Sequence, residues 1–409
     1  MKEFNIFQHA THRITEQELK KLATAHGKSV AEMRRDIAHA IKDLQYTQKE
    51  IRHIISQNKY CVLPDHSAGI GRYGAGDGLS RFFLCHDNGK AAKQARRRDS
   101  ALVTGFGPTN SPTAGTLSVI FRILEIQRRT GFYTHIIISD LGAFNSRKKP
   151  LSSLYGNARR FVQFIKKLGF DESRGEIRTH AHHDFLKAFA LSSSVLTIKD
   201  FLHNEEATEE MYKRLNLQGN DFSVMVDKTF TVTDILLPIL RDRAKTVIVV
   251  AGLEEHYYPK LARIAVERLR NTGGGLKEMI APDASVCAFY GRLIEGLFPY
   301  VKMSKSIPES SINIGEPEAE IRRKILTSEA RNEHVILQMM ELASDWDGEK
   351  RKRAAAAFSK AQKADTAPWN SFKQEYLGFI LKVKKLWDET ESCLLSDAEM
   401  KRELFPGGK

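Results

Sequence analysis

Two lysines framed by small polar residues, Lys302-Met303-Ser304-Lys305-Ser306, make the most chemically pointed stretch of this chain. Paired ammonium groups on a loop can close over a polyphosphate and offset charge as it builds on a leaving group. Taken alone, the same residues also suit a basic surface loop. A second stretch, Gly105-Phe106-Gly107-Pro108 continuing to Thr113-Ala114-Gly115-Thr116, follows a short apolar run and leads into an amphipathic one. Glycines let a backbone come close to a nucleotide. A helix N-terminus aims unpaired N–H groups and the positive end of its dipole at phosphate. A plain strand-to-helix turn would be built from the same residue types.

The elements that must hold these residues read as strand and helix in alternation. Residues 101–104, 135–139 and 246–250 are short β-branched or apolar runs. Residues 117–129, 154–168 and 260–269 carry apolar side chains at helical spacing. Such a pattern predicts a parallel sheet covered on both faces, with ligands bound beyond the carboxyl ends of its strands. Upstream, Thr15 with Glu18 and Ser29 with Glu32 are capping-box pairs. They predict one helix ending near Gly27 and a longer one through Met33, Ile37, Ile41 and Leu44 to about Ile55. Gly69-x-Gly71-x-x-Gly74 matches a dinucleotide fingerprint in form. It lacks the flanking strand and helix and reads as a mobile or hairpin-forming loop. Residues 318–342 and 371–387 are helix-like, with a basic helix or linker between them. Trp369 and Trp387 in that tail read as core. The fold class is therefore α/β: a Rossmann-like doubly wound parallel sheet. Residues 1–94 form an N-terminal helical appendage with the Gly-rich loop, 95–315 the sheet domain, and 316–409 a C-terminal helical domain.

Composition narrows the partners. The 409 residues are 42% hydrophobic and 28% charged, as in a soluble globular protein, and no eighteen-residue apolar run could span a membrane. The start of the chain lacks the apolar centre of a secretory signal, so a cytoplasmic location is expected. A net charge of +13 suits a polyanionic partner, although a surplus for solubility gives the same number. Cys61, Cys85, Cys287 and Cys393 lie far apart, which speaks against a disulfide framework or a zinc ribbon. His180, His182 and His183 lack a further ligand at sensible spacing and read as a polar loop, so no metal ligand is assigned. Arg96-Arg97-Arg98 and Lys350-Arg351-Lys352-Arg353 serve RNA phosphates or solvation equally well.

Residues 302–306 match the KMSKS signature of class I aminoacyl-tRNA synthetases at every position. The Gly105–Pro108 stretch resembles the Gly-x-x-Pro segment that precedes the HIGH motif in the tryptophanyl and tyrosyl enzymes. Ser139-Asp140-Leu141-Gly142-Ala143-Phe144 is similar to the segment after their second strand. Gly252-Leu253-Glu254-Glu255 is similar to the one where an acidic residue and a glutamine open a helix. The resemblance covers about residues 80–330. It implies activation of an amino acid, aromatic in this family, by ATP with Mg2+ to an aminoacyl adenylate, followed by transfer to tRNA by a homodimer. Lys302, Lys305, Thr113 and Thr116 would be catalytic. Gly105, Gly107, Pro108, Gly115, Met303, Ser304 and Ser306 would bind the nucleotide. Asp140, Glu254 and Glu255 would face the amino acid or ribose.

Two departures accompany it. Thr113-Ala114-Gly115-Thr116 stands where the family has HIGH, so both histidines are absent. Loss of one transition-state donor costs on the order of 3 kcal/mol. Glu255 replaces the glutamine, placing a further negative charge by the amino acid. A synthetase paralogue with a non-tRNA acceptor, or an inactive tRNA-binding protein, remains compatible with these changes.

Overall fold

The structure, a computed structural model, describes the chain except residues 1–15, 26–28, 35–47, 64, 66, 74–76, 148, 181–182, 203–221, 273–275, 299, 301–302, 304–307, 328–331, 363–365, 391–395, 397 and 400–409. It divides into two compact units, neither continuous in sequence. Unit 1 comprises Met1–Asn58, Pro112–Ser118 and Arg292–Lys384; unit 2 comprises Lys59–Ser111, Val119–Gly291 and Lys385–Lys409. This division cuts across the three consecutive segments expected from the sequence. Residues 59–94 group with the sheet, and a short piece at 112–118 groups with the helical tail.

Unit 2 is built on seven strands: β1 (Cys61–Val62), β2 (Phe82–Cys85), β3 (Ser100–Phe106), β4 (Tyr133–Ile138), β5 (Gly175–Thr179), β6 (Thr246–Gly252) and β7 (Ser285–Gly291). Their order is β1-β2-β7-β6-β3-β4-β5. The five strands from β3 onward are parallel, and β2 joins β7 antiparallel. From β3 the chain first winds outward through β4 to β5. It then returns to β6 on the other side, so the winding reverses between β3 and β6. That is the order of a doubly wound nucleotide-binding sheet. Strands such as YTHIII and TVIVVAG are apolar nearly throughout because helices cover both faces. The principal helices are numbered across the whole chain. In unit 2 they are α3 (Ala114–Thr130, its first turn counted with unit 1), α4 (Asp140–Arg147), α5 (Leu151–Lys167), α6 (His183–Val195), α7 (Phe222–Asp242) and α8 (Tyr257–Asn271).

Within the glycine-rich stretch before β2, residues 70–73 form a tight turn. Ile70 and Tyr73 exchange backbone hydrogen bonds of 2.9 Å in both directions. Gly71 has φ +55°, and a Cβ there would press into the ring of Phe132, just before β4 begins. Gly71 therefore serves the end of the sheet opposite its carboxyl edge, away from where a nucleotide fingerprint would act, and Gly74 lies outside the described residues.

Unit 1 contains α1 (Glu16–Ala25), α2 (Gln48–Asn58), α9 (Glu318–Leu326), α10 (Glu333–Leu342), α11 (Gly348–Ala361) and most of α12 (Ala367–Asp388). Thr15 and Gly27, the expected ends of the first helix, lie outside the described residues. The Ser29–Glu32 capping box is present: the Ser29 N–H donates to the Glu32 carboxylate (2.8 Å) and the Glu32 N–H to the Ser29 hydroxyl (3.2 Å). Leu19, Ala23 and Met33 pack there with Tyr300. The helical region read over 318–342 consists of two helices rather than one. Trp369 and Trp387 are both core residues, as expected; Trp387 packs edge-on to Phe161 and Phe164 in unit 2.

Candidate functional site

In unit 2 the residues singled out by sequence cluster at the carboxyl edge of the sheet. β3 runs out through Gly105 and Phe106 to Gly107 and Pro108, β4 to Asp140, and β6 to the turn Leu253–Glu255. The ends of β3 and β6 flank the reversal point, where an open α/β sheet leaves a crevice. Gly105 is also required by the sheet itself, since a Cβ there would lie 3.2 Å from both Cβ and the carbonyl oxygen of Ile137 on β4. A Cβ on Gly252 would overlap the carboxylate of Glu254, which folds back over the end of β6. Glu254 and Glu255 are half-buried.

Asp140 is fully buried. Its Oδ1 accepts from the N–H groups of Leu141 (2.9 Å) and His180 (3.0 Å), so one carboxylate opens α4 and ties the end of β4 to the end of β5. Among the described residues its Oδ2 has no hydrogen-bond partner. His180 does not lie in a polar loop as the sequence reading had it; it is 4% exposed, directly after β5. Its ring stacks on Phe185 at 4.7 Å and leans on Phe230 at 4.9 Å. The Gly142 N–H approaches Nδ1 (3.3 Å), which assigns the ring proton to Nε2 and makes it the donor to Asp234 Oδ2 (2.9 Å). Asp234 Oδ1 accepts in turn from Arg178 Nη2 at 2.9 Å. Sequence reasoning missed this chain of contacts, although a signal existed. Glu176, Arg178 and His180 alternate along one face of β5, and Asp234 interrupts an apolar helix. His182 lies outside the described residues. Among the described residues no cluster of metal-ligand type occurs.

A second buried network braces the Glu254–Glu255 turn. His256 follows it, and its Nδ1 is 3.2 Å from the Tyr60 hydroxyl. The Tyr290 hydroxyl on β7 lies 2.7 Å from His86 Nε2 and donates to the His256 carbonyl at 3.3 Å. Burial, with the Arg263 guanidinium and His256 nearby, pushes the His86 imidazole down to about 3, and burial drives the Tyr290 phenol up. Both rings are neutral at pH 7.

In unit 1 the segments on either side of the expected site are hydrogen-bonded together. The Ala114 N–H donates to the Ile312 carbonyl (3.0 Å) and the Ile314 N–H to the Pro112 carbonyl (3.1 Å), with Thr113 bridged to Asn313. Thr113 and Thr116 are buried, their hydroxyls 3.4 Å apart, and the Thr116 N–H points to Thr113 Oγ1 at 3.5 Å. Thr113 thus caps α3. Around Gly115 the nearest atom to an added Cβ is Thr113 Oγ1 at 3.7 Å, which is ordinary contact. Its N–H has no partner among the described residues, so an open backbone donor remains at a helix N-terminus, and the local geometry fits a phosphate. Met303 is buried, whereas Lys302, Ser304, Lys305 and Ser306 lie outside the described residues. Beyond them Lys324, also missed, is 5% exposed. Its ammonium donates to the carbonyls of Pro308 (2.9 Å) and Ser311 (2.9 Å) and to Glu316 (2.7 Å). These bonds fix residues 308–316 after the lysine pair. Among the described residues no helix is long and apolar enough to cross a membrane.

No protein-family model matches the chain. Tryptophan–tRNA ligase 1 of Halobacterium salinarum is 26% identical over 188 residues, 45% of this chain and 34% of that ligase. The match therefore spans only about a third of the relative's length. Tyrosine–tRNA ligase 2 of Pyrobaculum aerophilum is 24% identical over 242 residues, 56% of this chain and 71% of that ligase. The crystal structure of tryptophanyl-tRNA synthetase from Aeropyrum pernix K1 superimposes with a TM-score of 0.60 at 18% identity, covering 84% of this chain and 97% of that one. What is shared at that identity is the fold: the chain has the Rossmann-like architecture of the tryptophanyl- and tyrosyl-tRNA synthetases, in divergent form.

Proposed function

We propose that this chain, folded like the tryptophanyl- and tyrosyl-tRNA synthetases, activates an amino acid with ATP and passes the acyl group to tRNA. The observation that carries the reading is the pairing of residues 112–114 with 312–314, which ties the two stretches with phosphate chemistry through their flanks. Gly107 and Pro108 would approach the nucleotide, and the open N–H of Gly115 would meet a phosphate oxygen. Lys302 and Lys305, with Ser304 and Ser306, would stabilise charge on departing pyrophosphate. Mg2+ would travel with ATP as a counter-ion of the triphosphate. Asp140, Glu254 and Glu255 at the strand ends are candidates for the ammonium and ribose hydroxyls, and an aromatic side chain is the expectation carried by the resemblance. A homodimer and a cytoplasmic setting belong to the same proposal.

The assay is amino-acid-dependent exchange of pyrophosphate into ATP, run across the common amino acids and their derivatives. Lys305→Ala should slow exchange about a hundredfold while leaving amino-acid affinity within a few-fold. Unchanged turnover would remove the loop from the mechanism. A second reading rests on Thr113, whose hydroxyl faces the α3 N-terminus where the resembling enzymes carry a HIGH-motif residue. On that reading the acceptor is not tRNA, or activity is lost and tRNA binding remains. Exchange without charging of any tRNA favours the first of these, and absence of exchange with every amino acid the second.

A further inference from the structure

The edge of unit 2 where the parallel strands begin gathers arginines from several loops. Backbone bonds knit those loops: the Asp99 carbonyl accepts from Lys245 N–H (2.7 Å) and Thr246 N–H (3.2 Å), joining the starts of β3 and β6. The Gln127 amide donates to the carbonyls of Asp171 (3.2 Å) and Arg174 (3.1 Å), joining the end of α3 to the start of β5. At Gly131, just before β4, an added Cβ would lie 3.3 Å from both Arg97 Nε and Arg174 Nη1, so arginines from two loops converge there. Arg96, Arg97 and Arg243 on these loops and Arg128 at the end of α3 are exposed and form no salt bridge among the described residues, although Arg97 is near enough to Asp171 to help lower its carboxyl. Neighbouring strand starts are spaced by ~4.8 Å, so from β6 through β3 to β4 these side chains span a strip of roughly 10 Å.

Complementing helix dipoles accounts for a basic residue such as Arg128 in the last turn of α3. It does not account for Arg96 and Arg97, which lead into a strand. At Arg243, just past α7, the dipole also favours a cation, but it does not account for a non-glycine residue held at φ +55°, where glycine or asparagine is the unstrained choice. A guanidinium kept at a backbone cost, beside others that form no salt bridge among the described residues, matches the forked geometry of phosphate recognition.

We propose that this edge is a docking surface for RNA, with Arg96, Arg97, Arg128 and Arg243 contacting backbone phosphates. The choice of RNA over another polyanion rests on the proposed tRNA-charging reaction. The surface lies at the opposite end of the strands from the candidate site, so it would hold the body of the RNA rather than its reacting end.

The test uses the full chain with all four arginines replaced by alanine and, as a control of equal charge loss, Lys20, Lys21, Arg52 and Lys187 replaced by alanine. Binding of unfractionated tRNA is measured from low to moderate salt. Each lost phosphate contact lowers the slope of log K against log salt by about 0.7–0.9, so the arginine variant should lose about three units of slope and more than tenfold in affinity. The control should lose little, and thermal stability should match wild type. An unchanged slope, an equal loss in the control, or equally tight binding of duplex DNA of similar length would overturn the assignment. Pyrophosphate exchange needs no RNA. Its absence would remove the proposed reaction while leaving the binding result to stand or fall separately.

Discussion

His86 offers a quantitative test of the network that braces the Glu254–Glu255 turn. Its imidazole is pushed down to about 3 from an ordinary value near 6.5, first by burial and then by Arg263 and His256. Between those limits the unfolded chain takes up a proton that the folded chain refuses. Stability is therefore fully present above about pH 6.5 and is lost as pH falls towards 3. One pH unit corresponds to at most about 1.4 kcal/mol, which gives a loss of about 2 kcal/mol at pH 5 and about 4 to 5 kcal/mol if the whole window were reached. His135, whose imidazole burial also holds below its ordinary value, adds its own loss of stability as pH falls, so the wild-type curve alone does not isolate the effect. Glu176 is kept out of it. Burial raises that carboxyl, but hydrogen bonds from His135 and Arg241 overcome the effect and hold it at about 2, so its contribution fades only below about pH 4.5. The decisive quantity is the difference between wild type and His86→Gln, which retains an amide able to hydrogen-bond with the Tyr290 hydroxyl. Urea unfolding from pH 7.5 to 5 should give curves that converge by about 2 kcal/mol as pH falls. Parallel curves would show that His86 is already protonated in the fold, or exposed, and would refute the account of the brace.

Asp140→Ala should cost about 2–5 kcal/mol in urea unfolding, because the buried N–H groups of Leu141 and His180 lose their acceptor. Asp140→Asn should cost less, and equal losses would contradict the role given to Oδ1. At the end of β7 a Cβ on Gly291 would overlap the Arg122 guanidinium, which is buried 5.2 Å from the centre of the Phe82 ring. Gly291→Ala should therefore destabilise by roughly 3 kcal/mol, and a thermal midpoint within a degree of wild type would refute that packing. Lys324→Met leaves two carbonyls and Glu316 without their donor. A loss of about 3–5 kcal/mol is expected in the same measurement, with little change arguing that water replaces the ammonium.

The parallel sheet, its principal strands and the helices between them were legible because continuous apolar strands and helical periodicity are local patterns that burial on both faces enforces. The KMSKS stretch and the Gly105–Pro108 turn stand out in the sequence because each sets particular residue types at fixed spacing; the structure describes the turn and, of the first stretch, only Met303. The hydrogen bonds joining 112–114 to 312–314 could not be read, because no periodicity links segments two hundred residues apart. His180 was misjudged since a histidine's burial depends on whether another element brings it a partner. Here Asp234 from α7 does so, and the charged alternation Glu176-Arg178-His180 becomes an interior face only once that helix covers it. Local chemistry along the chain thus determined the type of fold and the nature of its motifs. Which polar groups are buried, paired or left open was decided by tertiary packing, because desolvation and hydrogen bonding depend on neighbours remote in sequence.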